Sequence, residues 1–322
     1  MSAAAIPLRT AAVFGASGKI GRRVVTALRE RGLATRALVH RTPIDVNGIE
    51  SVTGDIADPR AVAAVIAGAD VVVHLATAKE DAATFFDASV RGTFNVLEAT
   101  RAAAVKQLIL FSGDAALGIW FYPNPAPLTE ESPLRAYPGH YAFSKVVEET
   151  MANQYALQYG LPVTVLRSSW VFEGDDLLRH FSLLHNVDPA EPGHGFGEVT
   201  PEILELVRQR HERVPILVDA AGTPLRRHIV HIDDVIQAFG LILGNPAALG
   251  RTFNIAGPAP FDYASAARLL SDRLMFPTIT LRCPRYHSFA IDIGRARYEL
   301  GYAPQNDFAR MAERTIAARI SP

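Results

Sequence analysis

The 322-residue sequence has very little cysteine: one residue, Cys283, so no disulfide can form within the chain. Proteins without disulfides are typical of reducing compartments, which favours the cytoplasm. A charge excess is also absent, because 32 basic residues against 33 acidic ones give a formal net charge of −1. This balance provides no attraction for nucleic acid or an anionic membrane, so neither is predicted as a partner.

Long hydrophobic runs are missing as well. The most apolar window, residues 61–78, is interrupted by Asp70 and His74 and falls short of a membrane span. Residues 1–10 lack a basic segment followed by an apolar core, so we do not expect a signal peptide. The content of 49% apolar and 20% charged residues is ordinary for a globular protein, and the length predicts one large domain with a smaller lobe.

The first half of the chain alternates short β-branched segments with amphipathic helical segments, which is typical of parallel βα units. The rhythm changes after Ser169, and residues 173–223 resemble a lobe over the sheet, with one predicted helix at 201–213. The predicted strands are residues 10–14, 35–39, 49–52, 70–75, 107–111 and 163–166. The predicted helices are residues 19–31, a helix that begins at Asp58-Pro59, residues 81–104 and residues 141–159.

Three glycines with GxxGxxG spacing follow the first predicted strand and open the first predicted helix. Gly15 permits a tight turn, Gly18 lets the backbone approach a phosphate, and Gly21 lets the helix pack on the strand. The free N–H groups and positive dipole end of that helix attract an anion. The segment therefore predicts a pyrophosphate-binding loop, whose other members are Ser17, Lys19 and Ile20.

The end of the second strand carries His40 and Arg41, where NAD-preferring enzymes place a carboxylate for the ribose diol. A guanidinium suits a 2′-phosphate better, so NADP is favoured over NAD, with Lys19 adding positive charge. The alternative is that Arg41 is a solvated loop cation. After the third strand, Asp55 and Ile56 are candidates for contacts with the adenine, and a surface-turn aspartate is the competing interpretation.

Tyr141 and Lys145 lie four residues apart on the predicted helix after the fifth strand, so they share a helical face. An ordinary tyrosine has a pKa of about 10. We expect the Lys145 ammonium and an oxidised nicotinamide to lower the pKa of Tyr141. Tyr141 can then take a proton from a hydroxyl or give one to a carbonyl, while Lys145 reaches the nicotinamide ribose. With the glycine loop, this pair predicts a nucleotide-dependent redox enzyme.

These segments resemble the extended short-chain dehydrogenase/reductase family, in its NAD-dependent epimerase/dehydratase group, over nearly the whole chain. Further similar segments are residues 74–76, 165–167, 231–235, 253–257 and 299–304. The resemblance implies that Leu75 and Ala76, after the fourth strand, contact the cofactor. The resemblance implies an α/β fold, a Rossmann-type doubly wound parallel sheet with a smaller C-terminal substrate lobe. The dinucleotide-binding domain is expected at residues 1–168, with a return at about 226–257, and the lobe at 169–225 and 258–322. Many relatives form dimers, so a homodimer is expected.

Two positions depart from the family pattern. The family places Ser or Thr after the fifth strand to bind the reacting oxygen, and here that place is Gly113, flanked by Ser112 and Asp114. Ser112 is one residue early, which points a side chain to the opposite face of a strand, and Asp114 can act only if it donates or positions a hydrogen bond. Ser89 stands where the family has asparagine. Losing one such partner costs about 10²–10³ in rate, so another group compensates or the activity is low.

Substrate contacts are predicted around the same end of the sheet. Tyr122 lies in a Phe-Tyr-Pro segment that resembles the family's uronate dehydrogenase branch, which acts on free sugar acids. Arg226, in the Arg-Arg-His segment before a returning strand, is a candidate for a carboxylate or phosphate. Ser168, after the sixth strand, and Ser112 complete the predicted set. The competing interpretations are lobe-packing aromatics and isolated surface cations.

No metal site is predicted, because His180, His185 and His194 lack tight ligand spacing on a recognisable scaffold. Three functions therefore stay open. The first is an NAD(P)-dependent oxidoreductase for a sugar, sugar acid or related polyol, with Tyr141 as acid and base. The second is a nucleotide-sugar epimerase or dehydratase. The third is an NAD(P)-binding sensor that has lost catalysis, which the altered positions 89 and 113 suggest. The retained Tyr141–Lys145 pair favours the first.

Overall fold

The structure is a computed structural model, and it describes residues 4–44, 46–190 and 197–320. The strands in these ranges are β1 Thr10–Phe14, β2 Ala34–Val39, β3 Ile49–Thr53, β4 Val71–His74, β5 Gln107–Gly113, β6 Val163–Ser168, β7 Trp170–Phe172, β8 Val214–Val218, β9 Arg226–Arg227, β10 Ile229–His231, β11 Arg251–Ile255, β12 Phe261–Asp262 and β13 Thr278–Arg282.

The helices flank these strands. They are α1 Lys19–Glu30, α2 Pro59–Ile66, α3 Ala82–Phe85, α4 Gly92–Ala102, α5 His140–Tyr159, α6 Asp176–His180, α7 Leu183–Asn186, α8 Pro201–Arg208, α9 Ile232–Ile242, α10 Tyr263–Leu274, α11 Gly294–Leu300 and α12 Phe308–Ile320. A π-helical turn, Phe86–Arg91, joins α3 to α4, and 3₁₀ turns cover Asp114–Leu117 and Pro246–Ala248. None of the described helices is both long and apolar enough to cross a membrane.

A seven-stranded parallel sheet forms the centre of the molecule, in the order β3-β2-β1-β4-β5-β6-β11. The strand order reverses between β1 and β4. Ligands of such sheets bind beyond the carboxyl ends of the strands at this reversal, because the connections on either side run to opposite faces. The predicted Rossmann-type doubly wound sheet is confirmed.

Both faces of the sheet are covered, because alternate residues of each strand point to opposite sides. On β1, Ala11 and Val13 join a core cluster with α1 and α9, whereas Ala12 and Phe14 join a second cluster with α2, α4 and α5. The first cluster continues into the lobe through residues such as Phe181 and Tyr263. The lobe therefore shares one core with a face of the sheet.

The lobe contains three small sheets, in which β7 pairs with β10, β8 with β13, and β9 with β12. Only β11 of the segment 226–257 enters the central sheet among the described strands. Aromatic rings pack between these pieces; the centroid of Phe181 lies 5.4 Å from that of Tyr263 and 5.3 Å from that of Phe308. These contacts pack the pieces of the lobe against one another.

Most predicted elements match the structure within two residues, and three differences are relevant to the site or the lobe. The helix predicted at 81–104 contains the π-helical turn at Phe86–Arg91. The helix predicted at 201–213 ends at Arg208, and Arg210 then takes a left-handed φ of 57°. Strand β5 runs to Gly113 instead of Phe111, so that Ser112 and Gly113 are strand residues with alternating side-chain directions.

Candidate active site

The glycine loop packs at backbone contact against the segment that follows β4. Gly15 has a φ of +86°, and a Cβ there would lie 2.6 Å from the backbone nitrogen of Ala76. A Cβ at Gly21 would lie 2.1 Å from the carbonyl oxygen of Gly15. The N–H of Leu75 donates to Phe14 at 2.8 Å, which fixes this segment beside β1. A side chain at Gly15 would thus push the loop away from the segment after β4, and one at Gly21 would push α1 away from the loop.

Gly18 is the exposed glycine of the loop, and its surroundings fit a pyrophosphate. Only the Gly15 oxygen, at 3.4 Å, lies within 4 Å of a Cβ built at this position. Gly18 is the N-cap of α1, with no side-chain cap and no acidic residue in the first turn. The free N–H groups of a helix start are therefore open to an anion on the side where Gly18 lacks a side chain. Ser17 and Ile20 line the same turn and are partly buried.

Lys19 has a different partner from the one that the sequence suggests. Its Nζ forms an ion pair with Asp176 on α6 and lies 3.4 Å from the carbonyl oxygen of Val171. The lysine thus connects the glycine loop to the lobe, and its charge is balanced by a carboxylate. The predicted contribution of Lys19 to a 2′-phosphate site therefore needs this ion pair to open.

The residues predicted for the adenosine half lie together at the carboxyl ends of β2 and β3. His40 Nε2 is 3.7 Å from an oxygen of Asp55, and both residues and Arg41 are exposed. The other Asp55 oxygen accepts from the backbone N–H of Ala57 at 2.9 Å. Ile56 is buried. The structure thus gives this edge two basic side chains and one carboxylate.

Tyr141 stands in the first turn of α5, where Gly139 precedes the helix. Burial raises the pKa of its phenol, and the carboxylates of Asp114, Glu148 and Glu80 raise it further. This differs from the expected lowering by Lys145. Burial is the main cause of the raised pKa, and the ammonium, 5.8 Å from the ring centroid of Tyr141, is itself paired with Glu148. Without added positive charge, Tyr141 is therefore a phenol at neutral pH.

Lys145 is buried, with 3% of its surface exposed. Its Nζ donates to the Phe111 carbonyl oxygen at 3.1 Å and to Glu148 Oε2 at 2.8 Å. An ammonium has three protons, so one is left for a ligand such as a ribose hydroxyl. Glu148 was not among the predicted site residues, although a carboxylate three residues after a helical lysine is a recognisable signal.

Gly113 occupies the position that faces Tyr141. A Cβ at Gly113 would lie 3.4 Å from Tyr141 Oη and 3.6 Å from the carbonyl oxygen of Ser168. Ser112 points the other way, and its hydroxyl donates to Glu149, a buried carboxylate that also pairs with Arg167. The candidate role of Ser112 at the reacting oxygen is therefore wrong, because strand alternation directs its hydroxyl away from Tyr141.

Asp114 opens the 3₁₀ turn after β5 and is almost completely buried. Its Oδ2 accepts from Ser169 Oγ at 2.8 Å. Burial raises the pKa of this carboxyl to about 6, while the nearby Arg227 opposes that shift. Asp114 can therefore donate a hydrogen bond below this pH and accept one above it.

The basic residue that faces the site interior is Arg227, not Arg226. Arg226 is exposed, whereas Arg227 is buried with its guanidinium carbon 4.7 Å from the ring centroid of Trp120 and 4.0 Å from that of Trp170. Its Nε has no hydrogen-bond partner among the described residues. Arg226, the predicted member of the pair, points to the exposed side, because adjacent strand residues point to opposite sides and the sequence does not fix which one points inward.

The remaining predicted substrate residues have protein partners. Tyr122 donates to the Ala136 carbonyl oxygen at 3.1 Å, and the Arg135 guanidinium stacks on its ring at 3.2 Å. Ser168 is buried at the end of β6, with its hydroxyl 3.5 Å from the Ser112 carbonyl oxygen. The hydroxyls of both residues are thus directed to backbone carbonyl oxygens of the protein.

The histidines of the lobe do not form a metal cluster in the described ranges. His180 is buried, and its Nε2 lies 2.6 Å from the hydroxyl of Tyr263. His185 is exposed, and His194 lies outside the described residues.

Comparison with known sequences gives a consistent family match. The model of the NAD dependent epimerase/dehydratase family matches residues 11–256. An L-arabinose 1-dehydrogenase (NAD(P)(+)) from Haloferax volcanii is 33% identical over 181 residues, which cover 52% of this chain and 68% of that protein. A dTDP-glucose 4,6-dehydratase from Streptomyces antibioticus is 28% identical over 337 residues, covering 94% of this chain and 90% of that one.

Solved structures extend the match to the whole fold. A short-chain dehydrogenase/reductase superfamily protein from Agrobacterium tumefaciens with bound NAD superposes with a TM-score of 0.85 at 26% identity, and 97% of each chain is covered. A dTDP-glucose 4,6-dehydratase from Bacillus anthracis in complex with NAD gives a TM-score of 0.72 at 20% identity, which supports the fold alone. The similarity therefore includes both the sheet and the lobe.

Proposed function

The chain belongs to the NAD dependent epimerase/dehydratase family of extended short-chain dehydrogenases/reductases, and we propose that it oxidises or reduces one carbon of a sugar, sugar acid or related polyol. The observation that carries this proposal is the position of Tyr141. Its hydroxyl faces the end of β5 at Gly113, on the sheet edge where the glycine loop follows β1. A proton-transfer group and a dinucleotide cradle thus share one edge.

In this mechanism Tyr141 Oη exchanges a proton with the reacting oxygen. A bound nicotinamide supplies the hydride chemistry. Since the raised pKa keeps Tyr141 protonated, the phenol is ready to donate its proton to a carbonyl. In the oxidative direction the same oxygen must become a base, which requires additional positive charge beside it. Lys145, with one unused proton, would hold the ribose of the cofactor.

Asp114 would take over the hydrogen bond that Gly113 cannot make. Its carboxyl follows Gly113 directly, and its charge acts on Tyr141. With a pKa of about 6, it carries a proton in part of its population near neutral pH. A protonated carboxyl can donate to the reacting oxygen as a serine hydroxyl would.

We further propose that the substrate carries an anionic group. Arg227 is a buried guanidinium with the Asp114 carboxyl nearby and a hydrogen bond to Tyr263, and its Nε lacks a partner among the described residues, which leaves this N–H for an anion. Carboxylates and phosphates both pair with guanidinium in a bidentate manner. A free sugar acid would pair its carboxylate with Arg227, and its sugar skeleton is of the same class as L-arabinose and dTDP-glucose, the substrates of two similar proteins.

NADP is the proposed cofactor, because β2 ends in His40 and Arg41 without a carboxylate of its own. Asp55 lies close enough to His40 to weaken this positive field, so binding of NAD is also expected. Fluorescence titration with NADPH and NADH measures this preference. A tighter NADH complex would reverse it.

The test of the function is Tyr141→Phe, assayed with NAD(P) against free sugars, sugar acids and polyols. We expect this variant to bind NADPH as the wild type does and to lose about 10²–10³ of kcat, because the ring remains and the proton-transfer group is gone. Undiminished turnover in Tyr141→Phe would remove this residue from the mechanism. Firm NADPH binding by the wild type without turnover of any substrate would support the sensor instead.

A nucleotide-sugar dehydratase is the second candidate, because the similarity to the dTDP-glucose 4,6-dehydratase from Streptomyces antibioticus covers 94% of the chain. Such an enzyme regenerates its cofactor within each cycle and would keep it tightly bound. Mass spectrometry of the denatured purified protein separates the two proposals. About one NAD per chain, with turnover of a nucleotide sugar in the absence of added cofactor, would establish the dehydratase.

A homodimer in the cytoplasm completes the proposal. The exposed hydrophobic residues Phe86, Phe94, Phe143, Leu157 and Tyr159 all lie on the π-helical turn, α4 or α5. Such an apolar surface on two neighbouring helices suits a second copy of the chain. The single cysteine, Cys283, is buried and free, which fits a reducing compartment.

A further inference from the structure

Lys145 and Glu148 form a buried ion pair one turn apart on α5. Lys145 is 3% exposed, Glu148 is fully buried, and their charged atoms are 2.8 Å apart. Removing two charges from water is costly, and apolar residues of similar size often stabilise a protein as well or better. The pair therefore calls for a reason other than stability, and Lys145 is the residue that the proposed function needs.

A hydrogen-bond network fixes the carboxylate of Glu148. Its Oε2 contacts Lys145, and its Oε1 accepts from Thr77 Oγ1 at 2.7 Å. Thr77 also lies 2.9 Å from the hydroxyl of Ser144 and 3.2 Å from that of Ser89. Ser144 donates back to the Tyr141 carbonyl oxygen at 2.7 Å. The network thus starts at Glu148 on α5 and returns to α5 through Ser144, at the turn that carries Tyr141.

The π-helical turn brings Ser89 into this network. Ser89 is fully buried within Phe86–Arg91, and its hydroxyl accepts from the Ala78 N–H at 2.8 Å. A π-helical turn widens the helix by one residue and occurs frequently at functional sites. Here it anchors the segment after β4, to which Thr77 belongs, and so supports the position of Glu148 from a second element.

We propose that Glu148 is a positioning residue, whose carboxylate fixes the Lys145 ammonium and balances its charge so that Tyr141 remains a phenol until positive charge enters the crevice. This inference rests on the proposed function, in which Tyr141 exchanges the proton. Glu148 touches neither substrate nor cofactor in this role. It acts through Lys145 and through the local field at Tyr141.

The charges around Tyr141 determine the sign of the effect. Three carboxylates raise its pKa, and Glu148 is the one that also contacts Lys145. When Glu148 loses its charge, the Lys145 ammonium is no longer balanced and favours the phenolate. The other groups that face this cluster are Asp114, Glu80, Tyr137, Glu149 and His74, whose own pKa is lowered to about 3 by burial and by Lys145.

Glu149 provides a matched control. It is the next residue, equally buried, and also ion-paired, but its partners are Arg167 and Ser112. Its charge is not among those that raise the pKa of Tyr141. A purely structural role for buried carboxylates on α5 would therefore make Glu148→Gln and Glu149→Gln alike, whereas the positioning role separates them.

The experiment observes Tyr141 directly by ¹³C NMR of protein labelled at tyrosine Cζ, with Tyr141→Phe to assign the signal and saturating NADP⁺ present. We expect Glu148→Gln to ionise Tyr141 at a pH lower than the wild type by about one unit. Glu149→Gln is expected to leave this midpoint unchanged. An unchanged midpoint in Glu148→Gln, or equal shifts in both variants, would overturn the proposal.

Two further variants keep the test decisive if Glu148→Gln does not fold. Glu148→Asp retains the charge and is expected to restore the wild-type midpoint. Lys145→Met combined with Glu148→Met removes both charges and leaves none unpaired, so its midpoint is expected not to fall below that of the wild type. A downward shift in either variant as large as that predicted for Glu148→Gln contradicts charge balance. The NMR readout needs no substrate, so its failure is distinct from retained turnover in Tyr141→Phe.

Discussion

The chemistry of this site depends on which of two adjacent strand residues points into it. Ser112 and Gly113 are adjacent, yet only position 113 faces Tyr141, and Arg226 is exposed while Arg227 lies between two indoles. The sequence correctly predicted that both pairs lie at the carboxyl end of the sheet. Which member of each pair points inward was not predictable, because it depends on the last residue of β5 and on the pairing of β9 with β12.

Gly113→Ser tests whether the site has room for the hydroxyl that it lacks. The added Cβ would make ordinary contacts at 3.4 and 3.6 Å, so we expect a folded protein. With a second donor at the reacting oxygen, kcat should rise by about tenfold. Ser112→Ala is the control; it should lower stability by about 1–3 kcal/mol, because the buried Glu149 carboxylate loses a hydrogen-bond donor, without changing kcat. Lower kcat in folded Gly113→Ser would refute the assignment of position 113.

The proposed role of Asp114 predicts that kcat/KM depends on pH. Its pKa is raised to about 6, so the proton that it donates is present below this pH and is lost as the pH rises through it. For carbonyl reduction, kcat/KM should therefore fall on the alkaline side of about pH 6. Asp114→Asn keeps an N–H donor at all pH values, so this limb should disappear from its profile. If the same limb persists in Asp114→Asn, another group causes it.

At the scale of elements, sequence pattern and structure agree closely wherever periodicity is strong. Strand β1 begins and ends at the predicted residues, and α2 begins after Asp58, whose side chain accepts from the Arg60 N–H at 2.9 Å. The π-helical turn was missed, because its single extra residue barely changes the hydrophobic pattern of α3 and α4. It matters nonetheless, since it carries Ser89 to Thr77.

The glycine loop allows a paired test of structure against binding. In Gly15→Ala the new Cβ would collide with Ala76 at a left-handed φ, so we expect a loss of about 2 kcal/mol or more of stability together with cofactor binding. Gly18→Ala has a φ of −72° and a Cβ contact of 3.4 Å, so its stability should match the wild type. It should nevertheless bind NADPH more than tenfold more weakly, because the methyl group occupies the phosphate cradle.

Thermal unfolding and fluorescence titration with NADPH measure the two effects separately. Wild-type affinity in Gly18→Ala would show that the pyrophosphate lies elsewhere. Wild-type stability in Gly15→Ala would show that the loop can move away from Ala76.

At the scale of the whole molecule, the sequence anticipated the α/β class and the α8 helix after residue 200, but not the shared core between lobe and sheet. Tertiary packing of this kind involves Phe181 and Phe239, which lie far apart in the chain and have no common pattern in the sequence. The division into residues 1–168 and two lobe segments remains a prediction about domains. The shared core does not mark a boundary between these segments.

The proposed dimer makes a prediction at this scale. Phe94→Glu combined with Leu157→Glu places two charges on the exposed apolar surface of α4 and α5, and should convert a dimer into a monomer because a desolvated charge opposes association. Light scattering coupled to size-exclusion chromatography gives the mass. Met275→Glu, at the exposed C-cap of α10, is the control and should remain dimeric. A monomeric wild type would exclude the proposed dimer.

The continuous core limits how the substrate specificity of this enzyme can be changed. Because α9 and the aromatic residues of the lobe belong to the same apolar cluster as α1 and β1, the lobe is not an interchangeable module. A chimera that imports only residues 169–225 from a relative would expose Val235 and Phe239 to a foreign surface. New specificity is therefore more accessible through point substitutions around Arg227 and Asp114 than through exchange of whole segments.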